Sequence, residues 1–178
     1  MGVQIRRVLT KADRKAFVEI AYALNASDPN WVPPLKDEVR GLLTPGKNPW
    51  FEHAEAAFFL ALRDGRPVGR ISAQVGQLVL QHMTSGLGQW GMFEAADSEA
   101  AEAPLQAAEE WLRSKGMTRS MGPFSLSIWD EPGLLVKGHD HPPMVMMGHN
   151  SSAYEGWIEA AGYAGVKDLL TYDQPVDV

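Results

Sequence analysis

The stretch EAAFFLALRDGRPVGRISAQV (55–75) constrains the chain more than any other. Two apolar runs flank Asp64-Gly65-Arg66-Pro67, and Asp-Gly accepts the backbone of a tight strand–turn–strand hairpin. A lone hairpin buries too little apolar surface to be stable in water, so other segments must extend the sheet and cover it. The 178 residues match the ~100–200 of one domain, and 45% of them are apolar. A single domain over 1–178 is therefore expected.

The segments around the hairpin supply that cover. VQIRRVL (3–9) reads as a strand. A helix is expected from Lys11 to Asn25, with Thr10 as N-cap and Phe17, Ile20, Ala21 and Leu24 on one face. DPNWVPPL (28–35) must be an extended loop, because Pro33 and Pro34 lack donors and restrict their neighbours; Trp31 and the two prolines are expected to pack on the sheet. A short helix over Lys36–Leu43 is ended by TPGKNP. Residues 76–87 carry no clear pattern, and GQWGMFEA (88–95) reads as a third strand, central in the sheet. Ser98–Lys115 is strongly helical, with Ser98 as N-cap and Gly116 at its end. Pro104 inside it points to a start nearer Ala103. Leu105, Ala108 and Leu112 should face the sheet. MTRSMGPF (117–124) follows as a strand, then a long loop, a helix over 151–161 and a last strand VKDLLTY (166–172). The order predicts a mixed α/β sheet flanked by helices.

Composition narrows the function. Twenty-two acidic against sixteen basic residues give a net charge of -6, which argues against a nucleic-acid binder with a basic face. No run of ~18 apolar residues offers a membrane span. The start lacks an apolar signal core, so a cytoplasmic location is expected. Cysteine is absent, which removes disulfides, thiolate nucleophiles and Cys-zinc sites.

The segments DPNWVPPL, NPWFEHAEAAFFLALRDGRPVGRISA, GMFE, GP…GLLV…PPMVMM…N and AAGY…KDLL cover most of positions 1–172. They resemble the GNAT superfamily of acyl-CoA-dependent N-acyltransferases, and in detail the N-terminal half of a bacterial GNAT-like subgroup of about twice this length. The resemblance implies acyl-CoA or acetyl-CoA as co-substrate and a central strand whose amides, here at Gly91, Met92 and Phe93, pair with pantetheine. A Gly-rich loop before the next helix would hold the CoA pyrophosphate. Here that turn is AADSEAAEAPL, with no glycine and with Glu94, Asp97, Glu99 and Glu102, which repel a phosphate. The family's leaving-group acid is a Tyr four residues before a Gly. Counting back from Gly162 gives Ile158; Tyr154 lies one turn earlier, so it is not the family acid by position, and it is expected to reach the cleft.

Several residues have both a structural and a functional reading. Glu94 ends the central strand as a structural or a substrate-binding carboxylate. Asp130 beside Glu131 is an exposed turn before Pro132-Gly133, or a base at the cleft. Ser125 follows the cleft's second wall and sits in no Gly-x-Ser-x-Gly elbow, so it is a contact rather than a nucleophile. Asn150 is most simply the N-cap of the last helix, with a substrate contact as the alternative. His139, Asp140, His141 and His149 carry metal-ligand chemistry but sit in a Pro-rich polar turn, so no metal is expected. Met144–Met147 and Trp129 read as core packing, with a groove or lid role as alternatives. Arg70 should face solvent or pair with a carboxylate. No Nudix box is present, which argues against a pyrophosphohydrolase.

Two functions follow. One is a GNAT-like N-acyltransferase with a nonstandard acyl-CoA site and roles for Glu94, Asp130 and Tyr154. The other is a noncatalytic ligand-binding or subunit-pairing module. An unpaired sheet edge at the last strand would favour a homodimer or a second GNAT-like subunit.

Overall fold

The computed structural model describes residues 2–172 and 174–175. Five strands form one sheet in the order β1(Gln4–Arg7), β2(Ala54–Arg63), β3(Arg66–Gly76), β4(Leu87–Ala95), β5(Arg119–Met121). The first four are antiparallel and β4–β5 is parallel. The hairpin is as expected: Asp64 and Gly65 both take positive φ, at 51° and 76°, the combination that matches strand twist in a two-residue turn.

Each face of the sheet has its own cover. Helix α1(Lys11–Leu24) and α2(Lys36–Leu42) put Phe17, Val18, Ile20 and Val39 against Leu60, Leu62 and Met92. On the other face, α4(Ser98–Ser114) and α5(Ala153–Ala160) pack Leu105, Ala108, Leu112 and Ile158 on Phe59, Ile71, Trp90 and Phe93. Thr10 caps α1 through a reciprocal pair with Asp13, which meets orphan donors of the first turn.

Several expectations need correction. Strand β4 is buried along its whole length, yet β3 holds the middle of the sheet. Residues 77–82, which carried no pattern, form a short helix α3(Gln77–His82). Helix α4 begins at Ser98, with Asp97 as its cap and Pro104 tolerated inside. The proline ring is buried in the interface below, and that packing offsets the missing donor. Lys115 is the C-cap, and Gly116 follows at φ 78°. The strand expected over 117–124 shrinks to β5.

The C-terminal part departs most. Residues 166–172 form no strand, and Val166, Leu170 and Tyr172 are exposed. The Met run does not join the core either: Val145 is 92% exposed, with Met144 and Met146 beside it, and Trp129 is 81% exposed. An apolar residue type marks a core only when the backbone turns it inward.

Two glycines give a direct test of the packing. A Cβ on Gly91 would lie 1.7 Å from the Phe124 carbonyl oxygen, whereas one on Gly156 in α5 meets nothing within 4 Å. Gly91→Ala should cost more than about 4 kcal/mol, the exceptional range for a single substitution. Gly156→Ala should stabilise by up to about 1 kcal/mol through helix propensity. Urea unfolding of both variants checks the pair.

Candidate functional site

The pairing of β5 with β4 ends at Gln89. Past that point the only main-chain bond described on that side of β4 is from Phe124 N–H to the Trp90 carbonyl, 2.8 Å. Strand β4 therefore runs on into a cleft without a strand partner there. A bulge accompanies the change: Gly91 pairs with Ser72 and Glu94 with Arg70, so two residues, Met92 and Phe93, oppose Ile71. Met92 takes positive φ, 46°, the strained geometry that such an extra residue imposes.

The bulge turns Glu94 toward α1. Its Oε2 accepts from Tyr154 Oη at 2.9 Å and from Asn25 Nδ2 at 3.1 Å, while Oε1 lies 3.6 Å from an Arg70 guanidinium nitrogen. Each partner is held in turn. Asn25 also donates to the Ala21 carbonyl, and Arg70 donates to the Phe17 carbonyl and lies over the Phe17 ring. Tyr154 Oη accepts from Ala95 N–H at 3.0 Å. Burial raises the Glu94 carboxyl above its ordinary value, and the Arg70 charge opposes that shift without cancelling it. Burial and the Glu94 charge both hold the Tyr154 phenol protonated well above the usual range. The result is a carboxyl with raised proton affinity hydrogen-bonded to a phenol that keeps its proton, an arrangement suited to moving a proton.

Loops form the walls. Trp31, Val32 and Pro34 come from 28–35, Ser125 and Glu131 from 123–134, and Met147 to Asn150 from the third loop. Trp31 packs edge-on against Tyr22, 5.3 Å between centroids, so this segment covers α1 and the cleft rather than the sheet. The cleft is partly open, with a volume of about 100 Å³.

Of the residues singled out by sequence, the structure brings Met92, Phe93, Glu94, Ser125, Asn150 and Tyr154 to this cleft. Gly91 sits one residue deeper, closed off by Phe124. Asp130 accepts from Ser127 N–H and Oγ–H within a turn, and Glu131 lines the cleft in its place. Asn150 is not the helix cap; Ser152 holds that position. Asn150 instead clamps Leu135, accepting from its N–H at 2.8 Å and donating to its carbonyl at 3.2 Å. The sequence reading missed Asn25 and did not assign Arg70 to the cleft. Asn25 reaches Glu94 from 69 residues away, while Arg70, expected to face solvent or pair with a carboxylate, meets Glu94 as its cross-strand partner. Among the described residues no group of three or more His, Asp or Glu stands ready to hold a metal.

The turn before α4 is engaged with itself. Asp97 Oδ1 accepts from Ala100 N–H at 3.0 Å. Arg63 holds Asp97 with both terminal nitrogens, at 2.7 and 3.0 Å, and Glu99 at 2.7 Å. Led by the Arg63 bond, these contacts lower Asp97 to about 2.

A mixed five-stranded sheet with α1 and α2 on one face, α4 and α5 on the other, and a cleft where β4 outruns β5 is the fold of the GNAT acetyltransferases. An aminoglycoside acetyltransferase from an uncultured soil metagenomic sample, solved with sisomicin, superposes over 98% of this chain and 97% of its own at TM-score 0.58 and 12% identity. A second aminoglycoside acetyltransferase, solved with a CoA-containing bisubstrate analog, matches 99% of this chain and all of its own at TM-score 0.57 and 12% identity. No protein-family model matches. At sequence level the chain is 50% identical over 167 residues to a bacterial ceramide synthase of Caulobacter vibrioides, covering 93% of this chain and 44% of that protein. It is 41% identical over 169 residues to protein YghO of Escherichia coli, covering 94% and 43%. The chain thus spans less than half the length of either relative.

The Glu94 cluster makes a stability test possible. Glu94→Ala removes the acceptor of Tyr154 and Asn25 and the counter-charge of Arg70. We expect a loss of about 3–5 kcal/mol, as for other broken buried pairs. Glu94→Gln keeps an acceptor and should fold. Because folding raises this carboxyl, its contribution is greatest below the ordinary value of 4.5 and is lost as pH rises through the folded-state value. Glu94→Gln should therefore gain stability relative to wild type as pH rises above 4.5 toward the folded-state value, read from paired urea midpoints. A difference that stays constant as pH rises from there would refute the raised carboxyl.

Proposed function

We propose that residues 1–178 form one GNAT-like domain that joins an acyl group to the primary amine of a long-chain amino alcohol. Acyl-CoA, acetyl-CoA or an acyl carrier protein would be the donor. The observation that carries this reading is the buried Glu94–Tyr154 pair at the open end of β4. The 50% identity to a ceramide synthase supports the acceptor class, since a ceramide is the N-acyl derivative of such an amine. Exposed Val32, Leu35, Val145 and Met146 on the cleft-forming loops give an aliphatic tail apolar surface beside the cleft.

In this reading Glu94 takes a proton from the incoming ammonium. The freed amine nitrogen attacks the thioester carbonyl carbon, the C–N bond forms and the C–S bond breaks. Tyr154 gives its proton to the leaving sulfur and is recharged from Glu94 through their 2.9 Å hydrogen bond. Asn25 and Arg70 hold the carboxyl in place, and Ser125 and Asn150 shape the wall. No metal is required.

The turn before α4 favours a second reading, a noncatalytic ligand-binding or subunit-pairing module. Its first amides are capped by Asp97, and Glu99 adds a second carboxylate to a single guanidinium, so a CoA pyrophosphate has little to attract it. Exposed Val166, Leu169, Leu170 and Tyr172 support pairing with a second copy or a second GNAT-like body, which light scattering would register. No helix among the described residues is long and apolar enough to cross a membrane; a cytoplasmic site of action is part of the proposal.

The test is turnover. The chain incubated with palmitoyl-CoA and sphinganine should yield the amide by mass spectrometry, and Glu94→Gln should lower kcat by about 10²–10⁴, the usual contribution of a general base. Binding of sphinganine in calorimetry without any amide would select the noncatalytic reading. Neither binding nor product would sink both.

A further inference from the structure

The acyl transfer above leaves one proton unassigned. An ammonium and a thioester give an amide, a thiol and one free proton (R–NH₃⁺ + R′CO–SR″ → R–NH–COR′ + HSR″ + H⁺). The nitrogen loses two protons, and the Glu94–Tyr154 pair returns one to sulfur. The other needs an acceptor within the cleft and a way out.

His149 lines the same cleft as Glu94. Its side chain is 1% exposed, and its Nε2 lies 2.9 Å from Asp28 Oδ2. A carboxylate only accepts, so Nε2 carries the hydrogen and Nδ1 is left with a bare lone pair. Nδ1 is buried and has no hydrogen-bond partner among the described residues. Asp28 is itself fixed, accepting from Asn30 N–H at 2.9 Å, and the Asn30 and His149 contacts help to hold its carboxyl below the usual range. Its side chain is 31% exposed, so it joins the buried ring to solvent. The charged and titratable groups around His149 are Asp28, the His139 ring 6.3 Å away, and Arg70, Glu94, Glu131 and Tyr154 along the cleft wall.

We propose that His149 is the second proton acceptor of this cleft: Nδ1 takes the proton that the acyl-transfer nitrogen loses, and Asp28, as a positioning residue, holds the tautomer and passes charge toward solvent. The proposal rests on the acyltransferase reading for its substrate. The orientation of the ring and its bare nitrogen stand apart from that reading.

His149→Gln places an amide N–H where Nε2 donates to Asp28 and removes the base. With palmitoyl-CoA and sphinganine it should lose about 10²–10⁴ in kcat with KM and the melting temperature unchanged. Asp28→Asn should keep the hydrogen bond to the ring and lower kcat less. His141→Gln, on the exposed tip of the same loop, should leave kcat unchanged. A kcat within threefold of wild type in His149→Gln would overturn the proposal. Should the wild-type chain show no turnover, ¹⁵N NMR of the imidazoles decides separately. Added sphinganine should shift the Nδ1 resonance of an Nε2–H tautomer, whereas an Nδ1–H tautomer, or no response to the amine, refutes the site.

Discussion

Everything in the cleft depends on a charge buried at the end of β4. Taking the Glu94 carboxyl and the Arg70 guanidinium out of water is costly, and an ion pair 3.6 Å apart returns only part of that cost. The remainder is met by neutral donors, Tyr154 and Asn25, which bring α5 and α1 to the same atom. Four elements, α1, β3, β4 and α5, are thereby tied to one carboxylate. A hydrophobic substitute would leave the Tyr154 hydroxyl and the Asn25 amide without this acceptor.

The sheet was legible because its signals are local. The Asp64-Gly65 turn fixes its own geometry, Thr10 and Asp13 sit within one helical turn, and Leu105, Ala108 and Leu112 repeat at helical spacing. The cleft was legible in part. Glu94 and Tyr154 stood out because the resemblance pointed to the ends of β4 and of the last helix. Asn25, Asp28 and His149 carry no such mark, since their roles exist only after segments 69 to 121 residues apart have met, whereas Arg70 meets Glu94 across neighbouring strands. The apolar stretches at 144–147, read as core packing, and 166–172, read as a last strand, failed for a different reason. Loops without ladders cannot alternate side chains between inside and outside, so composition there says nothing about direction.

The cleft walls and the cleft floor are held by different forces. The floor is sheet and helix, packed to the density of a core. The mouth is tied by a few hydrogen bonds between loops: two between Asn150 and Leu135, one from Asn30 to the His139 carbonyl and one between His149 and Asp28. Bonds of this kind contribute about 0.5–1.5 kcal/mol each, so the mouth can open without disturbing the sheet. A long, flexible substrate needs that freedom, and a proton-moving pair below needs the rigidity.

The bulge at Met92 and Phe93 makes the length of β4 a matter of phase. In an unbroken strand, residues four apart share a face, and Trp90 and Glu94 would both point into the α4 side. One additional residue sends Trp90 into that core and Glu94 toward α1. Loss or gain of a single residue between Gly91 and Glu94 would therefore exchange the sides, driving a carboxylate into the α4 core and leaving an aromatic ring where the proton chemistry stands. The loops at 28–35 and 123–150 have no such parity to keep. Changes of chain length in relatives of this fold can collect there and alter the mouth, while β4 admits substitution but not insertion.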